Sequence, residues 1–322
     1  MRNLKVAEDA DAPLLYSGAM RLTVMEPFRS IFYAPQFVAL HGGHFAAEGL
    51  EVTVRTSAGP TGTTRALIEG AAQFSLGGIM RSLDLADRGG RFLPHFAEVN
   101  SRNGFFLLAR EPRPGFTWAD LAGRTVISFA GAPTPWQCML TVLRRHGVDP
   151  ARVTFVRNLH GDDAVKALCE GRGDFLETGQ PTAEALIDAG AAHLVASMGE
   201  ATGPVPFSSY MTTWDRLRRE PELCERFTRA VYRAQRWMAA HDGKAISEVI
   251  APSFPEIPAD LRARAVERYR RQGTWAADPI CRQPGYEYLV DILLSGGFIR
   301  RRHRYADLVD TEIASRVVAT TA

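Results

Sequence analysis

The residues best suited to chemistry in this chain are two arginines, a few hydroxyls and three aromatic rings near the ends of strand patterns. Arg29 and Arg81 each carry a planar guanidinium fork that matches a carboxylate or sulfonate bidentately. Arg29 follows a strand pattern, where side chains tend to face a cleft, and Arg81 opens a helix, where a surface role is an equal alternative. The loop 57–64 (Ser-Ala-Gly-Pro-Thr-Gly-Thr-Thr) sets the Ser57 and Thr61 hydroxyls and the pliant Gly59 beside a helix start, which favours an anionic group. A plain strand-to-helix loop has the same composition. Gly77 and Gly78 allow close backbone approach or a tight turn. Phe28, Tyr33 and Trp136 can wall a planar ligand, with a core role open to Trp136. Gly131 and Ala132 precede Trp136 at the same strand-to-helix turn, and Gln180 and Ser208 complete the candidate binding set.

Candidates for a nucleophile or general acid are few: Cys138, Glu26, Glu177 and His160. Cys138 falls in the first turn of an expected helix, where the helix dipole lowers a thiol pKa, although free cysteines are commonly inert core residues. No catalytic pair occurs at a diagnostic spacing, nor does a Gly-x-Ser-x-Gly, His-Glu-x-x-His or phosphate-loop motif. No catalytic residue is assigned. Cys138, Cys169, Cys224 and Cys281 lie far apart with no Cys-x-x-Cys, so neither a zinc site nor a disulfide framework is expected, and no metal or cofactor.

These residues need a scaffold, and the patterning supplies one. Alternating or β-branched runs at 20–25, 50–55 and 74–77 read as strands, with helices at 36–41, 65–69 and 80–87 between and after them. A second set has strands at 105–109, 125–129, 153–156, 174–177 and 193–196, with helices at 135–146, 162–170 and 180–189. From 215 onward the chain is helical, at 215–217, 221–241, 244–250, 260–272 and 286–294, a tail expected to pack on the first unit. Strand-helix alternation builds parallel sheets whose ligands sit at the carboxyl ends of the strands. The expectation is an α/β protein of two lobes, each a mixed sheet flanked by helices: 20–102 with 206–322, then 103–205, after an extension over 1–19.

Length and charge agree with that division. The 322 residues are about twice a typical domain. With 38 basic and 36 acidic side chains, the net charge of +2 gives no field for nucleic acid, and the apolar runs are too short for membrane insertion. The run Arg300, Arg301, Arg302, His303, Arg304 reads as solvated surface, and is a poor but available candidate surface for a protein partner. The stretch 1–20 carries Glu8, Asp9 and Asp11 where a secretory signal would be apolar. That predicts a cytoplasmic location for the chain as it stands, and a periplasmic one if its N-terminus is incomplete.

Several stretches in order resemble the type II periplasmic-binding-protein family, which includes alkanesulfonate and nitrate receptors of ABC transporters and the thiamine-pyrimidine synthases. They are 43–52 (Gly-His-Phe-Ala-Ala-Glu-Gly-Leu-Glu-Val), Tyr33-Ala-Pro35, 73–77 (Gln-Phe-Ser-Leu-Gly), 118–126 (Trp-Ala-Asp-Leu-Ala-Gly-Arg-Thr-Val), 171–174 (Gly-Arg-Gly-Asp) and Gln180-Pro181. The resemblance covers about 20–240 and implies a two-lobed clamshell that closes on a small organic anion or an aromatic or heterocyclic solute, with an ABC transporter permease as its partner. The same likeness admits an enzyme on this fold, a pyrimidine synthase, aromatic decarboxylase or desulfinase, or else a ligand sensor. Against the synthase, Arg81 stands where that group keeps a histidine, and 204–210 contains no cysteine.

Overall fold

The computed structural model describes residues 19–59 and 61–321, so the stretch 1–20 read above for a leader falls almost entirely outside the described residues. The strands of the first half are β1 (Met20–Glu26), β2 (Leu50–Thr56), β3 (Phe74–Gly77), β4 (His95–Asn100) and β5 (Phe106–Ala109). Those of the second half are β6 (Thr125–Ile127), β7 (Thr154–Val156), β8 (Phe175–Thr178), β9 (His193–Ser197) and β10 (Ser208–Met211). They form two five-stranded sheets, in the orders β2-β1-β3-β10-β4 and β7-β6-β8-β5-β9. In each sheet four strands run in one direction, and the strand that carries the chain across from the other sheet is antiparallel: β10 against β3 and β4, β5 against β8 and β9. Helices flank both sheets, giving the two-unit α/β architecture expected from the strand-helix alternation.

β1 shows why the pattern was readable. Its side chains alternate across the sheet, and Leu22, Val24 and Glu26 fall on the inward phase. β4 and β10 were not evident in the sequence. All six residues of β4 are buried, yet His95, Glu98 and Asn100 are polar. Each has a partner that makes burial tolerable. His95 lies 2.8 Å from the Ser82 hydroxyl and 2.6 Å from that of Ser209, Glu98 accepts from Ser101 at 2.6 Å, and Asn100 donates to the Phe32 carbonyl at 2.8 Å. The partners of His95 and Asn100 come from other segments of the chain, so alternation alone does not reveal the strand.

The helical tail does more than cover the first sheet. Helix Pro221–Ala239 packs on Ala34–His41 and on the C-terminal helix Glu312–Thr320. Helix Ala259–Gln272 reaches the other unit, where Arg264 pairs with Asp188 and Arg268 with Glu184 of helix Thr182–Asp188. On the opposite side, helix Gln283–Ser295 meets Pro133–Arg145, and Arg145 donates to the Tyr288 hydroxyl at 2.8 Å. The run 300–304 is engaged by local carboxylates: Arg300 with Asp87 at 3.0 Å, Arg302 with Glu287 at 3.0 Å and Arg304 with Asp307 at 2.7 Å. Its charge is largely compensated within the molecule.

The segment 43–52 owes its composition to this packing. Gly49 has φ +67°, and Glu48 beside it accepts from Arg229 at 3.1 Å and Arg233 at 2.6 Å, two arginines one turn apart on helix Pro221–Ala239. Arg226 of the same helix donates to the Glu48 carbonyl at 2.8 Å. The Glu48 side chain is 9% exposed while its partners are 27% and 42% exposed, so solvent screens the pairs on one side only. Glu48→Ala is expected to lower unfolding stability by about 2 kcal/mol in urea titrations. An unchanged midpoint and slope would remove the cluster from the account of the fold.

Candidate functional site

The loops at the carboxyl ends of β1, β3, β6, β7 and β8 converge from both sheets on one cavity of about 390 Å³. β1 supplies Phe28, Arg29, Ser30, Phe32 and Tyr33; β3 supplies Gly78, Met80 and Arg81. From the second sheet come Ser128 to Pro135 in part, Leu159, His160 and Ala164, and Glu177 to Gln180. The two chain crossings add Gly104, Phe105, Phe207 and Ser208, and Tyr269 enters from helix Ala259–Gln272. The walls are aromatic. Phe28 and Tyr33 have ring centroids 5.6 Å apart, Phe32 meets Phe207 edge to face at 5.8 Å, and Phe105 and Phe129 lie 4.3 Å apart across the second sheet's side.

Polar groups are few and unevenly compensated. Arg29 donates to Glu26 at 2.6 Å and lies 5.0 Å over the Phe37 ring, so its charge is matched before any ligand arrives. Glu26, fully buried, also accepts from Gln36 at 2.9 Å and Thr56 at 3.0 Å. Burial lowers the guanidinium pKa of Arg81, the mark of a cation partly stripped of water. It faces Tyr33, whose hydroxyl is raised far above its ordinary range by burial, against the opposing effects of Arg81 and of a hydrogen bond with Ser208. Glu177, 1% exposed, accepts from the Phe129 N–H at 3.3 Å, and burial pushes its carboxyl up to about 7. Across the cavity mouth the Gln180 N–H donates to the Tyr269 hydroxyl at 3.0 Å, joining the two units directly.

Of the residues singled out in the sequence, Phe28, Arg29, Tyr33, Gly78, Arg81, Gly131, Ala132, Gln180 and Ser208 line this cavity. Ser57, Gly59, Thr61, Gly77 and Trp136 do not. Ser57 donates to the Gly59 carbonyl at 3.1 Å, closing the loop on itself, and Thr61 borders a separate depression of about 530 Å³ that also includes Arg65 and Arg81. Gly77 is held inside the sheet opposite Ser209. Trp136 turns away from the cavity, edge to face with Phe155 at 4.7 Å and under the Arg157 guanidinium at 4.0 Å, leaving Thr134 and Pro135 of the same turn to form the wall.

The nucleophile candidates separate in the same way. Cys138 is fully buried off the cavity, and burial pushes its thiol up to about 12, opposite to the activation a helix start would give. Glu26 is committed to its three donors, whereas Glu177 and His160 border the cavity. Sequence reading missed Phe105, Phe129, Phe207 and Tyr269. Tyr269 comes from a helix in the tail, and no local pattern marks it as part of the site.

Comparison with known proteins places this architecture. YtlA of Bacillus subtilis, which carries a provisional binding-protein name, is 31% identical over 93% of this chain and 90% of its own. Among solved structures, the alkanesulfonate-binding protein SsuA from Xanthomonas axonopodis pv. citri, bound to MOPS, superposes with a TM-score of 0.71 at 16% identity, covering 92% of this chain and 99% of that one. The desulfurization enzyme DSZB superposes with a TM-score of 0.65 at 17% identity, covering 94% and 100%. At such identities these structures speak to the fold, and the two functions on it differ. The family model described as NMT1/THI5 like matches residues 31–245, and with two thirds of its length so matched the chain belongs to the NMT1/THI5-like family.

Proposed function

We propose that this chain is a small-molecule binding protein that closes two lobes on a flat aromatic anion. The observation that carries the reading is the cavity itself: aromatic walls from both sheets, the partly desolvated Arg81 at one side, and Arg29 already neutralised by Glu26. A guanidinium in such a place gains a charge-assisted, bidentate bond to a carboxylate or sulfonate at little added desolvation cost. The lobes are 20–102 with 206–322, and 103–205, hinged where the chain crosses between β4 and β5 and between helix Met198–Thr202 and β10. A receptor role beside an ABC transporter permease suits this design, and the alkanesulfonate-binding SsuA shows the same fold holding an organic sulfonate. Among the described residues no helix is long and apolar enough to cross a membrane. The enzyme alternative lacks an activated thiol, because Cys138 is buried and held protonated.

Benzenesulfonate and benzoate are the test compounds. At a hundredfold excess over Kd a ligand of the folded state adds about 2.7 kcal/mol of stability, a readily measured rise in Tm. Small-angle scattering should show contraction on binding, because ligand contacts made from both lobes exist together only when these are closed. A bound compound with an unchanged scattering profile would refute closure, and failure of both anions to bind would refute the aromatic-anion reading.

A further inference from the structure

Glu177 forms part of the cavity wall on the second sheet with 1% of its surface exposed, and its two oxygens are unequally served. Oε2 accepts the Phe129 N–H at 3.3 Å, and the buried Ser128 hydroxyl of the same wall has no hydrogen-bond partner either. Oε1 has no hydrogen-bond partner. An unsatisfied buried acceptor costs about 1–3 kcal/mol, and more when charged, so the position is retained against a penalty that a ligand donor would relieve. The surrounding groups explain what kind of donor. Arg157, after β7, is stacked on Trp136 at 4.0 Å and acts on Glu177 through its field, while the Cys138 thiol stays protonated. Burial opposes the ionised form, and the Phe129 N–H and the Arg157 charge favour it, leaving the carboxyl near 7. His160 borders the same cavity, and Arg81 enters it from the other sheet.

We propose that Glu177 is a specificity-determining residue that accepts an N–H donor of the ligand, so that the preferred ligand is an aromatic ring with an amino or amidino group at one end and an anionic group held by Arg81 at the other. The anionic half rests on the reading given above. The Glu177 contact rests on the orphaned oxygen and stands separately.

Three probes separate the halves: benzamidine, benzenesulfonate and 4-(aminomethyl)benzenesulfonate, each titrated calorimetrically into the wild type and Glu177→Gln. Benzamidine should bind the wild type and weaken about tenfold or more in the glutamine variant, while benzenesulfonate does not weaken. The aminomethyl compound should exceed benzenesulfonate about tenfold on the wild type and lose that advantage in the variant. Independently of any variant, benzamidine affinity for the wild type should rise with pH across the range in which the buried carboxyl ionises, because the bound cation demands an ionised Glu177. That measurement decides the matter if the variant does not fold. Absent benzamidine binding, an affinity indifferent to Glu177→Gln, or one indifferent to pH between about 4 and 9 overturns the proposal. Loss of benzenesulfonate binding alone removes the anion reading and leaves Glu177 in place.

Discussion

Arg81→Ala should weaken benzenesulfonate by about 2 kcal/mol, a factor of about 30, with little change in unfolding stability. The size follows from where the guanidinium sits. It is half-buried at the cavity wall, and burial already lowers its pKa, so much of the cost of removing water has been met in folding. An anion then collects the charge-assisted bond at nearly full value. Arg81→Lys retains the charge and loses the planar fork, and should fall between wild type and alanine. Arg29→Ala is the informative contrast. Its charge is matched by Glu26 at 2.6 Å, so deletion leaves that buried carboxylate as an added negative neighbour of the site. It should therefore weaken the anion through repulsion and lower stability as well, a combination that Arg81→Ala does not give. Titration calorimetry with thermal unfolding on all three variants reads both quantities. If Arg81→Ala binds benzenesulfonate as tightly as the wild type, Arg81 has no part in the site.

That reversal of weight between the two arginines shows what a sequence carries and what it withholds. Strand-end position put Arg29 in the cleft, through local alternation and the rule that loops at carboxyl ends converge, and left Arg81, at a helix start, between cleft and surface. That Arg29 is matched by a carboxylate depends on Glu26, three residues away in sequence but on the inward phase of β1, where a carboxylate is unexpected. Trp136 illustrates a second limit. A turn of helix separates wall from core, and Thr134 and Pro135 face the cavity while Trp136 packs on Phe155. Tyr269 shows a third, because its place in the site exists only through the tail helix that crosses to the second unit. The two sheets were legible from β1, β2, β3 and β6 to β9, through alternation or short apolar runs. β4 was not, because His95 and Asn100 are reconciled with burial by partners from distant segments. The same tail changes the expected mechanics. Arg264–Asp188 and Arg268–Glu184 tie the units together beside the Tyr269–Gln180 bond, so opening must break ion pairs as well as swing hinges.

Glu26→Ala should be the most destabilising single change near the site, by about 3 kcal/mol. The carboxylate is wholly buried and accepts from Arg29, Gln36 and Thr56, while Gln36 in turn accepts from the Tyr210 hydroxyl at 3.2 Å. This chain of bonds joins β1, β2, helix Ala34–His41 and β10 behind the cavity wall. Alanine leaves the buried Gln36 amide without its acceptor and the Arg29 cation without its counter-charge. Arg29 is 37% exposed and can turn to water, which limits the loss to the lower part of the range for broken buried pairs. Glu26→Gln preserves shape and some hydrogen bonding and should cost about 1 kcal/mol. Its effect on binding should run the other way. With the negative charge gone and Arg29 uncompensated beside the cavity, benzenesulfonate should bind several-fold tighter, and the gain should shrink as salt is raised. Urea unfolding and calorimetry at two ionic strengths test both parts. Tighter binding at the expense of stability identifies Glu26 as the residue that holds the cavity's charge in check, and an affinity unmoved by Glu26→Gln would mean that Arg29 is too far from the anion to matter.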